Sequence, residues 1–105
     1  MTGAIVVSTT AGSMDEAEKI AQALLEARLA ACVQLAPISS RYVWKGQIVR
    51  EDEVLLLIKT REALFEPVAA AIRAANSYET PEIIATSVIA GSNDYLEWLA
   101  ASTGD

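Results

Sequence analysis

Three observations predict an α+β fold built around one sheet. β-rich runs and amphipathic helical stretches alternate in the order βαββαβ, a short helical segment follows the last strand, and a glycine sits where two of the β-rich runs meet. Ala4-Ile5-Val6-Val7-Ser8-Thr9 is the first strand, and Ala11-Gly12-Ser13 is the turn that ends it. Ser13 and Glu16 have the spacing of a capping box, after which Ala17, Ile20, Ala21, Leu24 and Leu25 recur at helical spacing. Asp15, Lys19, Gln22 and Glu26 fall on the opposite, wet face, and this first helix is expected to run to about Ala30.

Cys32-Val33-Gln34-Leu35-Ala36 resumes β character, Pro37 interrupts it, and Arg41-Tyr42-Val43-Trp44 continues it, so the second strand reads as bent. Gly46 permits positive φ in a tight reversal, which pairs Gln47-Ile48-Val49-Arg50 back as a hairpin. The third strand passes through Glu51-Asp52-Glu53 into Val54-Leu55-Leu56-Leu57-Ile58-Lys59. Thr60 is expected to cap a second helix whose apolar stripe is Phe65, Val68, Ala69 and Ile72. Pro67 lacks a backbone donor and predicts an irregular first turn or a kink. A loop at Asn76-Ser77-Tyr78-Glu79-Thr80-Pro81 leads to a fourth strand, Glu82 to Ile89, and Asn93 is expected to cap a short helix carrying Tyr95, Leu96, Trp98 and Leu99. This order fits a ferredoxin-like βαββαβ antiparallel sheet with helices on one face plus a short C-terminal helix.

Composition narrows the function. With 105 residues, 52% of them apolar, the chain is expected to form one domain over residues 1–105. Fourteen acids against eight bases and no histidine give a net charge of -6, which disfavours nucleic acid and anionic membranes as partners. No window holds the roughly 18 apolar residues of a spanning helix, and the start of the chain lacks a basic signal region, so a cytoplasmic location is expected. The single Cys32 excludes an internal disulfide. A sheet covered on one face should alternate apolar and polar residues, but Ile5-Val6-Val7, Val54 to Ile58 and Ile83-Ile84 are apolar on both faces. Two helices shield only one face. Self-association through the sheet is therefore expected.

Several segments resemble the CutA divalent-cation-tolerance family over about residues 4–100: Ala30-Ala31-Cys32-Val33, Tyr42-Val43-Trp44-Lys45-Gly46, Ile58-Lys59-Thr60, Tyr78-Glu79-Thr80-Pro81-Glu82-Ile83 and Tyr95-Leu96-Glu97-Trp98-Leu99. The resemblance implies a homotrimer similar to the PII signalling proteins and a link to copper and other divalent-cation tolerance, with no known reaction. The chain departs from the family where metal chemistry matters. Ala75-Asn76-Ser77 stands where many members carry histidine, and Ser8-Thr9-Thr10 where copper-binding members use cysteine. Copper and zinc sites are built from imidazole and thiolate, which one subunit with no His and one Cys does not assemble alone. Three copies of Cys32 around an axis would make a soft site, but a Cys between Ala31 and Val33 also reads as packing. No metal-ligating residue is assigned.

The ligand-binding candidates are Lys59, Glu82, Trp44 and Tyr78. Lys59 ends an apolar strand before a helix N-terminus, which favours a small anion, while a structural ion pair with Glu82 is the alternative. Glu82 follows Pro81 and is placed to orient a ligand or a hard cation, to satisfy Lys59, or to meet amides of a neighbouring subunit. Trp44, Tyr42 and Tyr78 are candidates for an intersubunit cleft. Glu51-Asp52-Glu53 reads as a solvated run rather than a Mg²⁺ or Ca²⁺ site, since neighbouring strand carboxylates point to opposite faces. Tyr95 and Trp98 read as packing. No Ser-His-Asp, Cys-His or acylphosphatase-like arginine set is present, so no enzyme is expected. A trimeric binding or regulatory protein is the leading reading, with direct metal handling or a structural scaffold as alternatives.

Overall fold

The computed structural model describes residues 2–104. Its elements are β1 (Ala4–Ala11), α1 (Met14–Glu26), β2 (Cys32–Trp44), β3 (Gln47–Arg61), a 3-10 turn (Glu62–Leu64), α2 (Phe65–Ala75), β4 (Ile84–Ser87) and α3 (Asn93–Ala101). The four strands form one antiparallel sheet in the order β2-β3-β1-β4, which is the expected α+β arrangement.

Register assigns the two faces of the sheet, because alternate side chains point to opposite sides. Ile5, Val7, Thr9 and Ala11 of β1 lie beside Val54, Leu56, Ile58 and Thr60 of β3 on one face. Ala17, Ile20 and Leu24 of α1 and Val68 and Ile72 of α2 complete the buried core on that side. The other face carries Val6 and Ser8 beside Leu57 and Lys59, with Leu55 one step further, and these stay only half-buried. α3 covers one end of it, where Leu99 is buried and the Lys59 ammonium lies 5.9 Å from the centre of the Tyr95 ring.

Several boundaries differ from the sequence expectation for identifiable reasons. α1 stops at Glu26, not Ala30, because Arg28 takes a left-handed φ of 58° and the Leu29 and Arg28 amides close back onto the Leu24 and Leu25 carbonyls. Arg28 is held there by its guanidinium, which donates to the carbonyls of Ala101 and Gly104 at 2.9 and 2.7 Å. Thr60 is not a helix cap. It belongs to β3, is fully buried, and donates its hydroxyl to the Leu29 carbonyl at 2.7 Å. The chain instead leaves β3 through the 3-10 turn, and Pro67 falls in the first turn of α2, where its missing donor costs nothing. Pro37 does not break β2, which is an edge strand and needs no donor on its outer side. β4 is four residues rather than eight, and Ser92 rather than Asn93 precedes α3.

The β2–β3 pair outgrows the rest of the sheet. β1 ends opposite Val54, but β2 and β3 continue from Ile38↔Glu53 to Trp44↔Gln47. At about 3.4 Å per residue, these seven pairs form a two-stranded ribbon projecting roughly 24 Å. Lys45 and Gly46, with φ of 50° and 78°, make the tight turn at its tip. The longest dimension of the molecule, 44 Å, reflects this projection.

Candidate functional site

The root of the ribbon is where the structure concentrates polar chemistry. Thr10, Ser40, Tyr42, Glu51 and Glu53 share the open side of the sheet by register, and the loop after α2 brings in Tyr78. The Tyr78 hydroxyl donates to Glu53 at 2.8 Å, and the Tyr42 hydroxyl donates to Glu51. Partial burial pushes the Glu53 carboxyl up, but hydrogen bonds from Ser40, Tyr78 and Thr10 together outweigh it and leave it below its ordinary value. Burial and then the Glu53 hydrogen bond push the Tyr78 phenol up. Tyr42 is pushed up to about 12, first by its hydrogen bond to Glu51 and then by partial desolvation and the two carboxylates. A groove of about 530 Å³, lined in part by Gly12, Pro37, Ile38 and Glu53, opens beside this network.

The loop carrying Tyr78 is fastened to three elements. Asn76 donates its side-chain amide to the Thr10 carbonyl at 2.9 Å, and its own oxygen accepts the Tyr78 amide at 2.8 Å. Glu16 accepts from both the amide and the hydroxyl of Ser77, at 2.7 and 3.0 Å. Half of the capping box therefore forms: Ser13 accepts the Glu16 amide at 3.2 Å, while the Glu16 carboxylate serves the loop instead.

The four candidates do not converge within one chain. Lys59 sits under Tyr95 at the α3 end, Tyr78 meets Glu53 at the ribbon root, and Trp44 lies at the tip with the Lys45 ammonium 5.7 Å from its ring centre. Six strand residues separate Lys59 from Glu53, and six more separate Glu53 from Gln47, the partner of Trp44, so each gap is roughly 20 Å. The ion pair between Lys59 and Glu82 is contradicted by register. Ile84 pairs with Ser8, which puts exposed Glu82 near the level of Thr10, while Lys59 faces Val6, four residues or roughly 13 Å away along the sheet and on the far side of β1. Lys59 meets the Tyr95 ring instead, a cation–π contact.

The metal-ligand question has a structural answer in the donor set. No group of three His, Cys, Asp or Glu side chains suited to a metal exists among the described residues. Cys32, half-buried, has Lys59 as its cross-strand neighbour on the open face, so a cation there meets an ammonium. The residues present do not fit a soft metal ion within one subunit.

Sequence reasoning passed over Ser40 and Thr10 as site residues and read Glu51 and Glu53 as part of a solvated run, whereas both are half-buried and accept tyrosine hydroxyls. Register explains the difference for Glu53, Glu51 and Ser40. A two-residue turn at Lys45-Gly46 sets Trp44 opposite Gln47 and hence Ser40 opposite Glu51, on the side that Glu53 shares. Nothing local links Tyr78 to Glu53.

A family model described as "CutA1 divalent ion tolerance protein" matches residues 5–102. The divalent-cation tolerance protein CutA of Thermus thermophilus is 42% identical over 100 residues, covering 94% of this chain and 97% of the relative. The chloroplastic protein CutA of Arabidopsis thaliana is likewise 42% identical over 100 residues, but the chain spans only 55% of that relative's length. Among solved structures, the Thermus thermophilus divalent cation tolerance protein superposes with a TM-score of 0.94 at 41% identity, covering 96% of this chain and 99% of the other. CutA1 from Oryza sativa superposes with a TM-score of 0.94 at 37% identity, covering 100% and 99%. With the fold, the whole matched length and the motifs in agreement, the chain belongs to the CutA1 divalent ion tolerance family.

Proposed function

We propose that this chain works as a homotrimeric, PII-like binding or regulatory protein in the response to metal ions, taking a small anionic ligand at clefts between subunits. The observation that carries the reading is the projecting ribbon. Isolated two-stranded ribbons are marginal in water, yet this one displays Val43 at 72% and Ile48 at 83% exposure, with Trp44 beside them. Val43 and Ile48 point to the helix side of the sheet plane, while Trp44 points to the open side, where the half-buried Val6, Leu55 and Leu57 and the exposed Ile84 form a second uncovered apolar surface. A second copy covers such a surface most economically.

The spacing of the candidates supports a shared site between copies. Lys59, Tyr78 and Trp44 are strung along the β2–β3 direction and Glu82 lies on the β4 side, so a ribbon reaching onto a neighbouring sheet is the arrangement that would bring candidates from two copies to one ligand. Lys59 supplies the positive charge for an anion, and the aromatic rings supply contact area. No reaction is assigned. Direct copper binding is the weaker alternative because the donor set does not fit it. The cytoplasmic placement rests on composition, and relatives described as chloroplastic or periplasmic show that the family is not confined to one compartment.

Thermal-shift measurements with anionic metabolites and with copper and zinc, on protein without a histidine tag, test the ligand class. An anion should raise the melting temperature of the wild type and not of Lys59→Ala. A shift with copper alone, at micromolar concentration, would reverse the assignment.

A further inference from the structure

We propose that α3 is a clasped strap that holds the Lys59 ammonium ready for an anion, with Tyr95 as the ring it rests on and Arg28 and Arg61 as the residues that position that ring. This role presupposes the anion site at Lys59 proposed above and adds what arranges it.

Packing alone seats α3 loosely. Its nine residues fall short of the roughly 12 that an isolated helix needs to be even marginally stable in water, and Leu99 is its one buried side chain among the described residues. A cavity of about 540 Å³, lined in part by Ala4, Ala63, Leu96 and Leu99, lies between the helix and the ends of β1 and β3. Upstream, the Val88 amide donates to the Ala4 carbonyl at 3.0 Å, after which residues 89–92 are exposed.

The far end is fastened by two arginines. Arg28, in the turn after α1, donates from Nε to the Gly104 carbonyl at 2.7 Å and from Nη2 to the Ala101 carbonyl at 2.9 Å, while its own carbonyl accepts the Gly104 amide at 2.8 Å. Arg61 donates from Nε to the hydroxyl of buried Thr103 at 2.9 Å and from Nη2 to the Thr103 carbonyl at 3.3 Å. The carbonyls that end a helix carry partial negative charge and lack partners within it, so guanidinium donors suit them. α3 has no basic residue of its own in its last turn. Gly104 completes the clasp, since its φ is 81° and a Cβ there would overlap the Arg61 guanidinium.

Both anchors belong to the surroundings of Lys59. Arg61 lies two residues beyond Lys59 on β3 and therefore on the same face. The turn that carries Arg28 is bonded to that stretch of β3, through the Ala31 amide on the Lys59 carbonyl at 2.9 Å and the Thr60 hydroxyl on the Leu29 carbonyl at 2.7 Å. The clasp thus fixes α3 relative to Lys59 itself, and the Tyr95 ring centre comes to 5.9 Å from the ammonium. The register neighbours of Lys59 are Val6 and Cys32, neither of them an acid, so the ring is what holds the side chain. A lysine gives up much rotamer freedom when it engages a ligand. One already resting on a ring has given up part of it beforehand. The ring face attracts the ammonium without neutralising it, which leaves the positive charge to an anion.

The chain has three lysines, Lys19, Lys45 and Lys59, so NMR of the full chain isotopically labelled at lysine Cε reads the contact directly, with Lys59→Arg identifying the signal. Titration with inorganic phosphate reads the site, and circular dichroism checks the folding of each variant. The Lys59 Hε resonances should be shifted upfield by the ring in the wild type and in Tyr95→Phe, and should lose that shift in Tyr95→Leu. Arg28→Gly removes the guanidinium while keeping a residue that accepts the left-handed φ of 58°. It should lose most of the shift, and Gly104→Ala, which loosens the clasp from its other side, should reproduce this. Phosphate affinity should fall about threefold in Tyr95→Leu and in Arg28→Gly, and no further when the two are combined. Arg73→Ala removes the same charge from the exposed surface of α2 and should change affinity less than about twofold. An unchanged Lys59 signal in folded Arg28→Gly and Gly104→Ala would overturn the clasp. Loss of the shift with full phosphate affinity, or additive losses in the combined variant, would overturn the positioning role. If the Lys59 signal responds as described but phosphate does not bind the wild type, the anion site is overturned and the hold of the clasp on Lys59 is upheld.

Discussion

The body and the ribbon of this molecule are made of the same strands and obey opposite rules. From Cys32 to Pro37 and from Val54 to Arg61, β2 and β3 lie in a four-stranded sheet whose helix-covered face is closed to water, with Leu56, Ile58 and Ile72 fully buried. From Ile38 to Glu53 the same two strands have no third strand, no helix over them, and apolar side chains in solvent. The body holds a core of its own. The ribbon borrows stability, from the polar network at its root within the chain and, on the proposed reading, from a second copy at its tip.

That contrast yields predictions of decreasing size. Leu56→Ala removes a fully buried body side chain and should cost about 3 kcal/mol in chemical denaturation, since a rigid core collapses only partly around the cavity. A cost near zero would mean the body is not the rigid half. Tyr78→Phe deletes the hydroxyl donated to Glu53 and should cost about 1 kcal/mol, less than a fully buried charged bond because the site is half-open. Thr9→Val should leave stability unchanged or raise it by up to about 1 kcal/mol, because the buried Thr9 hydroxyl has no hydrogen-bond partner among the described residues to lose.

The root network also sets a pH window. Glu53 is depressed in the folded chain, so its contribution is present above its ordinary value and is lost as pH falls through the folded one. The two phenols are raised, so their contribution is present below about pH 10 and is lost as pH climbs toward about 12, the value of Tyr42. Unfolding followed by tyrosine absorbance across both limits should show weakening at each end. In Tyr78→Phe the acid limb should shrink.

The local sequence carried the body well and the ribbon unevenly. Ser13 at the head of α1, the helical stripe through Leu24 and the Lys45-Gly46 turn each depend on neighbours in sequence, so each was legible. The length of the ribbon was not, because it depends on where β1 stops relative to β3, a pairing 43 residues apart at Ala11↔Val54. Long-range register also explains the two main errors. Thr60 looked like a cap because a threonine before a polar stretch commonly is one, but its buried hydroxyl donates to the Leu29 carbonyl in the turn after α1, 31 residues away in sequence. Lys59 and Glu82 looked like partners until the β1–β4 register separated them. The Tyr78–Glu53 contact, 25 residues apart, joins a loop to a strand and leaves no local trace.

The central claim is that the ribbon's exposed apolar tip is covered by another copy, and the mass of the protein in solution tests it most directly. Light scattering should give a trimer of about 34 kDa, three copies of the 11.2 kDa chain, and Val43→Asp/Ile48→Asp should drop it to folded monomer. A wild type that is folded and monomeric at micromolar concentration, or a double variant that remains trimeric, would contradict the account.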